Sequence, residues 1–160
     1  MSAPLIIQIQ EAALDGNSSL TDALRKAKIA CAKLGLREFG NWIDQELNGY
    51  MDKSIDELPE YRRLHGTPEA FNPYQGWQPL IFQDAKQKKS YSQAPIGMTI
   101  SAIEQSVSRA RPGGAFGFPY SPEIENDLCD SLNWGRCALR IKLDISQTAN
   151  IINAVRNILL

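Results

Sequence analysis

Between Cys137 and Ile145 the chain alternates strictly. Cys137, Leu139, Ile141, Leu143 and Ile145 share one side, and Arg140, Lys142 and Asp144 share the other. Successive residues of a strand point to opposite faces of a sheet, so this segment has one face to bury and one to wet. It predicts a strand in a sheet that is covered on one side only. The rest of the chain must pair its backbone and cover its apolar face.

The first third supplies helices. Pro4 opens one that runs to about Leu14, with Leu5, Ile6, Ile9, Ala12 and Ala13 on its apolar side. Asp15-Gly16-Asn17 stops it, and Ser19 with Asp22 caps the next. There Leu20, Leu24, Ala27, Cys31 and Leu34 form a narrow, seam-like stripe that Gly35 ends. A third helix carries Leu36, Phe39, Trp42, Ile43 and Leu47, and stops at Asn48-Gly49. Short connections make the three antiparallel neighbours.

The middle reads differently. Glu60 to His65 reads as a short strand after Leu58-Pro59, with Gly66-Thr67-Pro68 as a turn. A turn around Gly76 leads to a strand from Trp77 to Phe82, which Pro79 confines to a sheet edge. Gln83 to Pro95, with Lys86, Lys88 and Lys89, reads as an exposed, mobile loop. A helix follows from Ser101 to about Arg109, with Ser101 and Glu104 as a capping box. Arg111 to Tyr120 reads as irregular, and Ser121-Pro122 starts a helix to about Leu132. Ser146 caps a final amphipathic helix with Ile151, Ile152, Val155, Ile158 and Leu159 on its apolar face.

The fold class is therefore α+β. An N-terminal three-helix layer packs with a small, mainly antiparallel sheet and further helices. With 160 residues, 43% of them hydrophobic and 22% charged, residues 1–160 form one globular domain. Its helical part spans about 4–50 and its mixed part about 58–160. The last helix stops in mid-pattern, which predicts the N-terminal part of a longer protein. A net charge of -1 offers no overall basic surface for nucleic acid. Three sparse cysteines are no disulfide framework, and the first residues are no signal peptide. No apolar run is long enough to span a bilayer. A reducing, cytoplasmic setting is expected.

No set of residues for chemistry stands out. His65 is the only histidine and has no nucleophile motif near it. Cys31 and Cys137 sit on apolar faces, and Cys31, Cys129 and Cys137 lie too far apart in sequence for a zinc site. Glu57 and Glu60 with Asp127 are the acidic residues from which a metal-dependent hydrolase would have to be built. Glu123, Glu125 and Asp127 are more simply explained by the positive end of a helix. Arg111-Pro-Gly-Gly lacks the Lys-Ser/Thr ending of a phosphate loop. The expectation is no enzyme, no metal and no cofactor.

Two surfaces carry the functional signal. Tyr61, Arg62, Arg63, Phe71, Tyr74, Trp77 and Gln78 combine guanidinium forks with rings. Such groups bind nucleotides, RNA or a protein, and the same composition also fills a satellite core under an irregular loop. Arg62, Arg63, Tyr74, Trp77 and Gln78 are the candidate ligand or partner residues. Ile151, Ile152, Val155, Ile158 and Leu159 are the candidate interface.

Several stretches resemble a known family. Leu5-Ile-Ile-Gln-Ile-Gln-Glu-Ala-Ala-Leu14, Ser19-Leu-Thr-Asp-Ala-Leu-Arg-Lys-Ala27, Ala32-Lys-Leu-Gly35 and Trp42-Ile-Asp-Gln-Glu-Leu-Asn-Gly-Tyr50 come first. Leu58-Pro-Glu-Tyr-Arg62, Phe71-Asn-Pro73, Gly76-Trp-Gln-Pro79 and Asn153-Ala-Val-Arg-Asn157 follow. In order and spacing these resemble the AbiTii domain of bacterial abortive-infection proteins, most closely from Leu5 to Pro79. The resemblance implies a bacterial protein of phage defence whose effector region follows this domain, and it brings no catalytic residues with it. The expected function is a non-catalytic module that forms a homo-oligomer or binds a protein partner. The alternative is a nucleotide or nucleic-acid sensor using the Arg and aromatic residues with Lys86 to Lys89, and after it a metal-dependent hydrolase toxin.

Overall fold

The computed structural model describes residues 2–160. Three helices come first, α1 (Leu5–Leu14), α2 (Leu20–Leu34) and α3 (Arg37–Asn48). Ser19 Oγ accepts from the amide of Asp22 at 3.3 Å, as its spacing predicts. A second cap comes from far along the chain: the Glu104 carboxylate accepts from Leu20 N–H at 2.7 Å and from the Thr21 hydroxyl at 2.8 Å. Gly35 closes α2 in the left-handed conformation, φ 70. Leu20, Leu24, Ala27 and Cys31 are buried, whereas Leu34 at the end of the stripe is 60% exposed.

Two short 3-10 turns, Ile55–Glu57 and Glu60–Arg62, lead into β1 (Arg63–His65). The predicted strand from Glu60 is thus half as long as expected. Then come β2 (Thr67–Asn72), β3 (Gly76–Pro79), α4 (Ala85–Tyr91), β4 (Gln93–Pro95), α5 (Ile100–Arg109), β5 (Ala115–Pro119), α6 (Pro122–Ser131), β6 (Leu139–Asp144) and α7 (Ile145–Leu159). β1 pairs with β4 in a small antiparallel ribbon. The other four strands form an antiparallel sheet in the order β3-β2-β6-β5.

Four local expectations need correction. Thr67-Pro68 opens β2 instead of making a turn, because the Pro68 carbonyl accepts from Leu80 N–H at 2.9 Å and the missing N–H sits on that same side. Gln83 to Pro95 is not a loop: Asp84 caps α4, and Phe82 stacks on Tyr91 with centroids 5.9 Å apart. Arg111 to Tyr120 contains β5, whose Gly117 and Pro119 disguise its alternation. The caps also move, Thr99 serving α5 and Asp144 serving α7. Pro79 does lie on an edge strand, and β6 does alternate between buried and wetted residues.

The helices cover one face of the sheet. Ala70, Leu139, Ile141 and Leu143 point into a core shared with Ile100 and Ile103 of α5 and Ile151 and Val155 of α7. α7 lies against α1, α2, α5 and β6. This corrects the expected interface: Ile151, Val155 and Leu159 are buried within the chain, Ile152 is half-buried, and only Ile158 is exposed. Arg156 finishes the joint by donating to the carbonyls of Ala12, Asp15 and Ser18, which closes the C-terminal end of α1. No helix is long and apolar enough to cross a membrane among the described residues.

The other fixture is ionic. Arg62 and Glu46 are fully buried, with Arg62 Nη2 2.5 Å from Glu46 Oε2 and Nε 3.2 Å from Oε1. Arg62 Nη1 donates to the carbonyls of Ile96 (2.8 Å) and Met98 (2.7 Å). The hydroxyls of Tyr50 and Tyr61 donate to Glu46 Oε1 at 2.6 and 2.5 Å, and Trp42 Nε1 donates to the Tyr61 oxygen at 2.8 Å. Removing one partner strands the other charge, so Glu46→Ala is expected to cost about 3–5 kcal/mol in a urea denaturation.

The same network predicts an alkaline transition. Burial, reinforced by Glu46, pushes the Tyr61 hydroxyl from 10.0 up to about 12. The folded state therefore holds a proton that the unfolded chain releases near pH 10. The stabilisation is complete below that pH and is lost as pH rises toward the folded value. Urea midpoints measured from pH 8 to pH 12 should fall only above about pH 10, and Tyr61→Phe should flatten that fall.

Candidate interaction surface

The uncovered face of the sheet holds a cluster that no single segment spells out. Phe71 on β2 lies opposite Trp77 on β3, and their rings meet edge to face with centroids 5.4 Å apart. One pair along, Glu69 of β2 lies opposite Arg140 of β6. Arg140 Nε and Nη2 both approach Glu69 Oε1 at 2.9 Å, and its guanidinium carbon stands 4.1 Å from the centre of the Trp77 ring. The guanidinium is thus held on one side by a carboxylate and on the other by a ring face.

Gly117 on β5 makes room for this. A Cβ there would stand 3.0 Å from Arg140 Cδ. The Glu69 carboxylate is nearly buried, whereas Arg140 keeps 27% of its side chain in water and Phe71 remains 44% exposed. Arg140 Nη1 has no hydrogen-bond partner among the described residues. The same face continues through Thr67, Lys142 and Asp144 to a polar cleft of about 470 Å³ lined by His65, Gly113, Gly114 and Gln147. Hydrogen bonds from Ser146 hold the Asp144 carboxyl below its ordinary range, so it stays charged and caps α7. On the other face of the β2–β3 hairpin, Ala70, Gln78, Leu80, Trp134 and Cys137 line a smaller pocket of about 270 Å³.

The predicted Arg and aromatic patch is therefore divided. Arg62 lies in the core and meets no solvent. It was expected to face a ligand, and its ion pair with Glu46 accounts for its burial. Arg63 donates to the carbonyls of Leu58 and Asp56 and fastens the preceding loop. Tyr74 sits at the hairpin tip, 96% exposed. Trp77 faces the open side, and its neighbour Gln78 lines the opposite pocket, as strand alternation demands. Lys86, Lys88 and Lys89 are on α4, apart from this cluster. Arg140, Glu69, Gly117 and Lys142 complete the surface. Arg140 and Lys142 were legible as the wetted side of β6, but their partners depend on strand order.

The other candidates have local explanations. Glu57 accepts from the Ser54 amide and hydroxyl, which holds its carboxyl below the usual range, and Glu60 and Asp127 are exposed. No three His, Cys, Asp or Glu side chains gather as metal ligands among the described residues. Burial pushes the Cys31 and Cys137 thiols up, away from the reactive thiolate. His65 is exposed at the rim of the polar cleft.

A family model described as AbiTii matches residues 4–160, nearly the whole chain. No curated protein and no solved structure matches the chain significantly.

The Arg140–Trp77 contact can be weighed by a double-mutant cycle. Arg140→Ala, Trp77→Ala and the double variant, compared in urea denaturation, should give a coupling of about 0.5–2 kcal/mol. A coupling indistinguishable from zero would mean the stacked geometry contributes nothing in solution.

Proposed function

Because the chain belongs to the AbiTii family, and so to the setting of abortive-infection defence against phage, we propose that it is a non-catalytic interaction module that docks a protein partner on the open face of its sheet. The observation that carries this reading is the ordered cluster of Phe71, Trp77 and Arg140 on the sheet face opposite the helical core, where Thr67, Phe71 and Lys142 are exposed. Rings and guanidinium groups held rigid in advance lose little freedom on binding, and such residues dominate protein interfaces. The charges on this face balance, since Glu69 answers Arg140 and Asp144 lies near Lys142. That balance suits a mixed protein surface better than a run of phosphates. Docking would hold or release an effector supplied elsewhere in the intact protein.

The test uses the full-length protein in bacteria challenged with phage. Trp77→Ala and Arg140→Ala should each lower protection at least about tenfold, a loss of 1.4 kcal/mol or more of docking energy. Circular dichroism should show both variants folded, and Lys33→Ala, an exposed substitution on α2, should protect normally. Full protection by a folded Phe71→Ala, Trp77→Ala double variant would overturn the reading. If oligonucleotides bind the purified protein with steep salt dependence, and Trp77→Ala abolishes it, the nucleic-acid alternative takes its place.

A further inference from the structure

β5 is the outer strand of the sheet, and its free edge is unguarded. Ile145 N–H donates to the Gly114 carbonyl at 3.4 Å, and the register then pairs Phe116 with Leu143 and Phe118 with Ile141. Antiparallel ladders alternate, so Phe116 and Phe118 bond to β6 while Ala115, Gly117 and Pro119 turn their backbone groups outward. Among the described residues nothing bonds to that outer edge. Sheets usually protect an edge with lysine, an inward charge, a bulge or a covering loop. Ala115-Phe-Gly-Phe-Pro119 carries no charge, and its one obstruction is Pro119 at the end.

We infer that the edge of β5 pairs antiparallel with β5 of a second copy of the chain. A two-fold axis through Gly117 uses the strand best. It sets Gly117 opposite its own copy, Ala115 opposite Pro119, and Phe116 opposite Phe118. The two Gly117 residues exchange a pair of hydrogen bonds, and each Ala115 N–H donates to the Pro119 carbonyl across the axis. The missing proline N–H then leaves only the Ala115 carbonyl to water. An axis through Phe116 would make one aromatic pair instead of two and carry Pro119 past the end of the pairing.

Charge does not oppose this arrangement. On the open face Asp144 falls in the row of the other copy's Arg140 and the two Lys142 residues share a row, because Ala115 pairs with Asp144, Gly117 with Lys142 and Pro119 with Arg140. Each of these pairs is three strand spacings, about 14 Å, apart, beyond the screening length of about 8 Å at physiological salt. Small residues at 115, 117 and 119 leave nothing overhanging the edge on that side. The product is one eight-stranded sheet, twice the four strands of each copy. It presents two Trp77–Arg140 stacks on the same side to a bivalent partner. This goes beyond the docking reading, which concerns the face and not the edge.

Light scattering of the full-length protein over a wide concentration range should show the mass rising from monomer to dimer. Ala115→Pro removes one outward N–H without touching a bond to β6 or the packing of Arg140, and it should weaken dimerisation at least about tenfold. Hydrogen exchange supplies a readout free of mutation: the amides of Ala115 and Gly117 should become protected as concentration rises. A strict monomer at every concentration overturns the inference. So does a dimer that a folded proline variant leaves intact, or one in which those amides stay unprotected. Either failure leaves the Trp77 docking test standing, and loss of that test leaves the edge pairing standing.

Discussion

Glu46 and Arg62 meet where no water reaches them, and the rest of the chain is arranged around that meeting. Drawing two ions out of water is repaid only when their remaining donors and acceptors are also met. Tyr50 and Tyr61 meet the carboxylate, and the carbonyls of Ile96 and Met98 meet the guanidinium. These contacts bind α3, the turn after Pro59 and the segment after β4 into one piece. That piece delivers the chain into α5. α5 in turn extends Glu104 to the first amides of α2. The helical layer is thus tied through its polar groups as well as through apolar packing.

With the helices joined in this way, one face of the sheet is used up. β6 contributes Leu139, Ile141 and Leu143 inward, so Arg140 and Lys142 are left to water. An arginine on such a face gains most by finding an acceptor and a ring, and strand pairing sets Glu69 and Trp77 within its reach. The open face is therefore a consequence of one-sided packing, and the Phe71–Trp77–Arg140 stack is its ordered part. The same topology leaves β5 with a row of outward backbone groups. Face and edge are separate surfaces, one built from side chains and the other from main chain.

Local sequence revealed those elements whose stability is local. α1, α2 and α3 have apolar periodicity and their own stop signals, so their bounds were readable within a residue or two. β6 declared itself by alternation, and Pro79 marked β3 as an edge. The elements that were missed have little local signal. α4 buries no residue and is held by Asp84 and by Phe82 on Tyr91. β5 hides its period behind Gly117 and Pro119. Arg62 looked like a surface charge because the partner that makes its burial possible lies 16 positions away. The apolar face of α7 looked available because its cover comes from α1, α2, α5 and β6.

The sequence alone determined an α+β class, three leading helices, a sheet with one wetted face and kinship with the AbiTii family. Each of these rests on spacing and order along the chain, which need no knowledge of distant contacts. Tertiary structure alone decided which charges are buried, which apolar faces are spent, and which residues share the open surface. Arg62 and Arg63 are neighbours in sequence, yet one is locked in the core and the other fastens a loop. Arg140 and Trp77 are 63 positions apart by their numbers, yet they stack. The reason is physical: burial and ion pairing are settled by what the fold places alongside a residue, whereas periodicity is settled by the residues on either side of it.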